Sequence, residues 1–160
     1  MNTEDARVKD PVCEMMVNPD DNAIVYLQMN FAFCSRQCKE RFLANPHLYI
    51  GVPGHKAPKQ EGRAVIKRRR VHLAESLSSN GVLILKDELQ TMMGIKEIQI
   101  SENTIEITYD LLQVTLQQIE NKLKEIGAGL GSGWSERLHR AFVHESEELE
   151  IDSLEVTPHR

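Results

Sequence analysis

Cys13, Cys34 and Cys38 are the chain's three cysteines, spaced C-x20-C-x3-C within the first 38 of 160 residues. Thiolates favour zinc, copper(I) and other soft ions, and a short pair with a distant third ligand is how small zinc modules are stapled. The chemistry suggested is metal capture by sulfur. An odd number of thiols without an apolar export signal argues against a disulfide framework. No histidine is placed by sequence as a base beside any of the three, so a cysteine nucleophile has no activating partner. Asp10, Glu14 and His47 are candidates for a fourth ligand, with water or an open position as the remaining alternative. Met15, Met16 and Met29 offer thioethers to copper(I), although methionines in a small module more often fill gaps in its core.

The flanking residues describe the elements that must hold these sulfurs. Ile24 to Phe33 alternates in the manner of a hairpin, with its bend near Gln28-Met29-Asn30. Ser35 is a good N-cap for a helix running through Phe42 to a stop at Asn45-Pro46. Cys34 then lies just before the cap and Cys38 in the first turn. The positive end of the helix dipole and the exposed backbone N–H groups there favour thiolate over thiol, which lowers the proton cost of metal binding.

Asp10-Pro11-Val12-Cys13-x-Met15-x-Val17, followed by Phe31-Ala32-Phe33-Cys34-Ser35-x-x-Cys38-x-x-x-Phe42-x-x-x-Pro46-x-x-Tyr49, resembles the YHS domain, one of the TRASH-like group of heavy-metal modules. The resemblance covers about 40 residues. It implies a small treble-clef-like zinc or copper module of the kind found in metal transport, resistance and sensing proteins, with Cys13, Cys34 and Cys38 as the motif cysteines. One departure stands out: the family usually has glycine after the first cysteine, and this chain has Glu14.

Residues 1–50 are thus expected to form the metal module. The stretch 51–66, rich in Gly, Pro and Lys, reads as a linker. Beyond it, Val71 and Leu73 suggest a strand led in by Lys67, Arg68, Arg69 and Arg70. Val82, Leu85, Leu89 and Met92 predict a helix from Asn80 to Met93, stopped by Gly94. Ile98, Ile100, Ile105, Ile107 and Tyr109 alternate about a turn at 101–103, a hairpin pattern. Thr115 and Gln118 make a capping box, Val114 and Ile119 a hydrophobic staple, and Leu116, Ile119, Leu123 and Ile126 line one face up to Gly127.

This order over residues 67–131 is the ferredoxin-like βαββαβ plan, with a weak last strand in the glycine-rich stretch 128–133. The expected fold class is therefore α+β: a treble-clef-like metal module, a ferredoxin-like domain, and a C-terminal helix and acidic tail over 132–160. In that helix Leu138, Phe142 and Leu149 should form an apolar stripe, interrupted by His139 and His144, which five-residue spacing puts on different faces. Gly94-Ile-Lys-Glu-Ile98, Ile105-Glu-Ile-Thr-Tyr-Asp110 and the capped helix are similar to the heavy-metal-associated domain of copper chaperones and metal-pumping ATPases. That resemblance implies a C-x-x-C in the loop after the first strand, where this chain reads Glu75-Ser-Leu-Ser-Ser-Asn-Gly81. Hydroxyls and an amide cannot replace two thiolates. Ser78, Ser79 and Asn80 serve there as capping residues, and His72 points away from Val71 and Leu73.

With 19 basic against 24 acidic residues the net charge is −5, and 41% hydrophobic with 27% charged residues is ordinary for a folded domain. Disorder and a whole-protein nucleic-acid surface are disfavoured. Lys67 to Arg70 lacks an accompanying aromatic platform and reads as a solvated strand rather than a DNA contact. No apolar run approaches the roughly 18 to 20 residues that span a bilayer. The expectation is a cytoplasmic, non-catalytic metal-homeostasis protein holding zinc or copper(I), with a metal transporter or a second copy of itself as protein partner. Two rivals stand beside it: a regulatory region or soluble relative of a metal-transporting P-type ATPase, and a metal-responsive transcription regulator.

Overall fold

The computed structural model describes residues 6–131 and 134–156. The protein is a mixed α/β chain with small antiparallel sheets, and it divides into two compact units. Residues up to Arg63 belong together with the segment from Asp152, and Ala64–Ile151 form the other.

In the first unit β1 (Val8–Lys9) pairs antiparallel with β2 (Met16–Val17), and β3 (Ile24–Tyr26) with β4 (Met29–Phe31). The bend lies one residue earlier than the sequence suggests. Tyr26 pairs with Met29, so Leu27 and Gln28 form a two-residue loop with φ of 48° and 65°. Such loops need left-handed backbone at both positions to match the strand twist. α1 (Arg36–Ala44) is capped as expected by Ser35, whose side chain accepts the Cys38 N–H. Cys38 and Phe42, one turn apart, bury the same face. Phe42 is the hub of this unit's core: its ring centroid lies 4.9 Å from Phe31, 5.3 Å from Phe33, 5.8 Å from Tyr26 and 6.0 Å from Tyr49. The stretch after Tyr49 carries a bridge between Val52 and His55, a buried Ala57 and a 3-10 turn at Lys59–Glu61.

The second unit is built on a three-stranded antiparallel sheet in the order β5 (Ile66–His72), β7 (Thr104–Asp110), β6 (Ile95–Ser101). α2 (Ser79–Gln90) connects β5 to β6, and α3 (Leu116–Glu125) follows β7. The arginines expected to lead into the first strand are inside it, paired from Arg68↔Thr108 to Arg70↔Glu106. The anticipated last strand is reduced to one bridge, Leu73↔Leu130, flanked by Ala74 N–H to Gly129 O (2.8 Å) and Gly131 N–H to His72 O (2.8 Å). Glycine's conformational freedom weakens a longer ladder there. Gly94 has φ +88°, and a Cβ on it would meet Gln113 Cβ at 2.7 Å, so the turn into β6 admits no side chain. Ile105, Ile107 and Tyr109 of β7, Leu85 and Leu89 of α2, and Ile119 and Leu123 of α3 are buried. The capping box is present and both staple residues are fully buried.

α4 (Trp134–Leu154) continues through the acidic residues 145–150. Its apolar stripe is not the one predicted. Phe142 and Leu149 are 68% and 64% exposed, and the side chain of Leu138 lies outside the described residues. Val143, Glu147 and Ile151 are buried instead. Glu147 is buried because both carboxylate oxygens are satisfied, one by the Tyr109 hydroxyl and the other by the Leu116 N–H at 2.8 Å. Glu120 of α3 is also buried, with one oxygen hydrogen-bonded to His144 and the other ion-paired with Arg140 of α4. Periodicity treats charged residues as outward-facing, so it selects the wrong face of a helix held by buried carboxylates. Burial and then the Glu147 charge push the Tyr109 hydroxyl well above its ordinary pKa, keeping it a donor. Tyr109→Phe should cost the second unit about 1–3 kcal/mol, read as faster amide exchange in β7 and α3.

Candidate metal centre

Asp10 organises the site before any ion is considered. It is fully buried, and one carboxylate oxygen accepts the N–H groups of Val12 (2.7 Å) and Cys13 (3.3 Å) while the other accepts that of Cys34 (2.8 Å). Its backbone closes the same loop, with Asp10 N–H to Met15 O at 2.8 Å and Glu14 N–H to Asp10 O at 2.9 Å. One side chain thus joins the Cys13 loop to the residue that leads into α1. Ser35 and the first turn of α1 then set Cys38 one helical turn from Cys34.

The sulfurs of Cys13 and Cys34 lie 3.4 Å apart, and those of Cys34 and Cys38 3.6 Å apart. A disulfide would need about 2.05 Å, and all three thiols are free. Four donors around zinc with Zn–S near 2.3 Å put sulfurs about 3.8 Å from one another. The observed spacings are close to that edge. The three sulfurs and a carboxylate oxygen of Asp10 all lie within 4.8 Å of one another. Cys38 is buried, and Cys13 and Cys34 are half-buried. Among the described residues this is the group of Cys, His, Asp and Glu side chains able to surround an ion.

Of the proposed fourth ligands the structure brings in Asp10 and leaves out the other two. His47 has both ring nitrogens engaged: Nδ1 donates to the Ile50 carbonyl at 3.1 Å, and Nε2 then accepts from the Tyr26 hydroxyl at 3.0 Å. Glu14 is exposed and lies 3.7 Å from Lys59 Nζ. Met15, Met16 and Met29 are not core fillers, being 44% to 54% exposed.

The thiols influence one another. Cys13 is held below its ordinary pKa, mainly by the hydrogen bond with Cys38, whose own thiol the same contact and burial push far upward. Burial raises Cys34 to about 11. The carboxylate of Asp10 adds repulsion toward Cys13 and Cys38. Capture of an ion must displace the protons that the thiols carry.

Residues 8–52 match the YHS domain. The YHS match contains Asp10 and all three cysteines, and it spans 45 of the 160 residues, so it speaks for the first unit alone. No curated protein and no solved structure matches the chain. The glycine usual after the first cysteine of a YHS domain has a physical reason here. Glu14 has φ +68°, a left-handed conformation that glycine adopts without steric cost.

Two outcomes follow. Glu14→Gly should stabilise the first unit by about 0.5–1 kcal/mol, read by denaturant unfolding. Metal affinity should rise steeply with pH through the neutral range, with roughly two to three protons released per ion, as calorimetry in buffers of different ionisation enthalpy would show. Below the thiol pKa values protons compete for the sulfurs, so acidification releases the ion.

Proposed function

We propose that this chain is a cytoplasmic, non-catalytic heavy-metal-binding protein of copper or zinc homeostasis, resistance or trafficking, holding its ion through Cys13, Cys34 and Cys38. The observation that carries the reading is the convergence of three sulfurs and a buried carboxylate within 4.8 Å inside the segment that matches the YHS domain. Short hairpins leading into a helix that bears the last cysteine fit the treble-clef-like module expected of it.

The donor set favours zinc. Three thiolates and a carboxylate bring four negative charges to a largely buried place. A dipositive ion offsets two of them and a monopositive ion one, and buried charge is costly unless compensated. Carboxylate oxygen suits zinc better than copper(I), whose preference is for sulfur. Asp10 can ligate and still keep its three N–H bonds, since a carboxylate has about four acceptor positions. Ligating carboxylates are commonly held by such outer hydrogen bonds.

The second unit is read as a ferredoxin-like domain related to heavy-metal-associated domains that has kept the scaffold and lost the metal site. Its sheet order and the bridge from Leu73 to Leu130 support this, as does the loop at 75–81, where Ser78 caps α2 by accepting the Gly81 N–H at 3.1 Å. Its part would be to contact a protein partner. A DNA-binding regulator has less support, because the exposed Arg68 and Arg70 both hydrogen-bond Glu106, at 2.6 and 3.2 Å, which holds that carboxyl below the ordinary carboxylate range.

Protein purified without added metal should carry one ion per chain, zinc in preference to copper, by elemental analysis. Its three thiols should react slowly with a thiol reagent until a chelator is added. Cys38→Ser should abolish stoichiometric binding and loosen the first unit while leaving the second folded. Equal thiol reactivity with and without chelator, and no ion by analysis, would contradict the proposal.

A further inference from the structure

The first unit includes a segment about ninety residues away in sequence from its nearest other part. Glu155 is its anchor: one carboxylate oxygen accepts the His47 N–H at 2.9 Å and the other accepts from Asn45 Nδ2 at 3.0 Å. Asp152 accepts from the same Asn45 amide at 3.1 Å, and the Val156 N–H donates to the His47 carbonyl at 3.2 Å. Asn45 is the C-cap of α1 and accepts in turn from Arg41, a buried guanidinium whose Nε has no partner. The 3-10 turn Pro46–Leu48 has no capping side chain of its own, and Glu155 supplies that function from a distance. Asn45 thus stands between both carboxylates and the buried Arg41.

α1 has nine residues, fewer than an isolated helix needs to be stable in water. Its first turn carries Cys38, and its last residue leads to the cap that Asp152 and Glu155 hold. We propose that residues 152–156 act as a strap coupled to metal occupancy: the ion orders α1 from its beginning, the strap orders it from its end, and each lowers the cost of the other. The coupling needs no change of shape, since ordering by one ligand reduces the entropy a second must remove. It is reciprocal, so whatever the strap adds to metal affinity the metal adds to strap attachment. This rests on the metal reading above and assigns the C-terminal segment a regulatory role in it: a partner that draws residues 152–156 away would promote release of the ion.

The test uses the full-length chain and zinc. Glu155→Ala should bind zinc about 5- to 20-fold more weakly in chelator competition, whereas Glu155→Gln, which keeps an oxygen for the His47 N–H, should recover part of that loss. In the unchanged protein, removing zinc should speed amide exchange at His47 and Val156 while leaving β7 of the second unit unaffected. Wild-type zinc affinity in Glu155→Ala, together with exchange at His47 and Val156 that ignores zinc, would overturn the strap and leave the metal reading standing. Failure of the unchanged protein to bind zinc would overturn both. Unchanged β7 exchange in the variant separates a local effect from general unfolding.

Discussion

The carboxylate of Asp10 accepts N–H groups from two segments that the sequence separates by about twenty residues, and that junction brings the Cys13 loop to Cys34. A buried carboxylate with three charge-assisted hydrogen bonds is a strong and directional constraint. It fixes the Cys13 loop against the start of α1, and α1 then aims Cys38 into the same space. The price of the arrangement is electrostatic, because the same negative charge resists the ionisation of thiols beside it. A cation resolves that conflict, and for this reason a site that opposes its own deprotonation is well suited to holding an ion.

The two units solve the problem of stability differently. The second has a sheet, two helices and an apolar core, and α4 is tied to it by the buried Glu147, which accepts from the Tyr109 hydroxyl and the Leu116 N–H. The first has strands of two and three residues and an aromatic cluster around Phe42. Regions of that size seldom hold a fold by burial alone and gain from a metal staple or a borrowed segment. This one has the donors for the first and, in residues 152–156, the second.

Much of this was legible in the residues. The spacing of the cysteines, Ser35 as the cap, the capping box at Thr115 and the alternation of β7 each have a local cause, and each is found where the sequence put it. Asp10 could be named as a candidate ligand but not separated from Glu14 and His47, because the separation rests on three-dimensional proximity: Asp10 lies among the sulfurs, whereas His47 is turned to Tyr26 and Ile50 and Glu14 is exposed. Local patterns were silent on Glu120, Glu147 and Glu155, whose partners lie 20 to 110 residues away and override the tendency of a carboxylate to face water. The last strand failed for a reason visible in its glycines, which leave a single bridge where a ladder was expected.

X-ray absorption at the edge of the metal in the loaded, full-length protein addresses the central claim most directly, since it counts the atoms that touch the ion. Three sulfurs near 2.3 Å and one oxygen near 2.0 Å are the result this account predicts. A shell of oxygen and nitrogen alone, or one in which sulfur does not outnumber them, would contradict it.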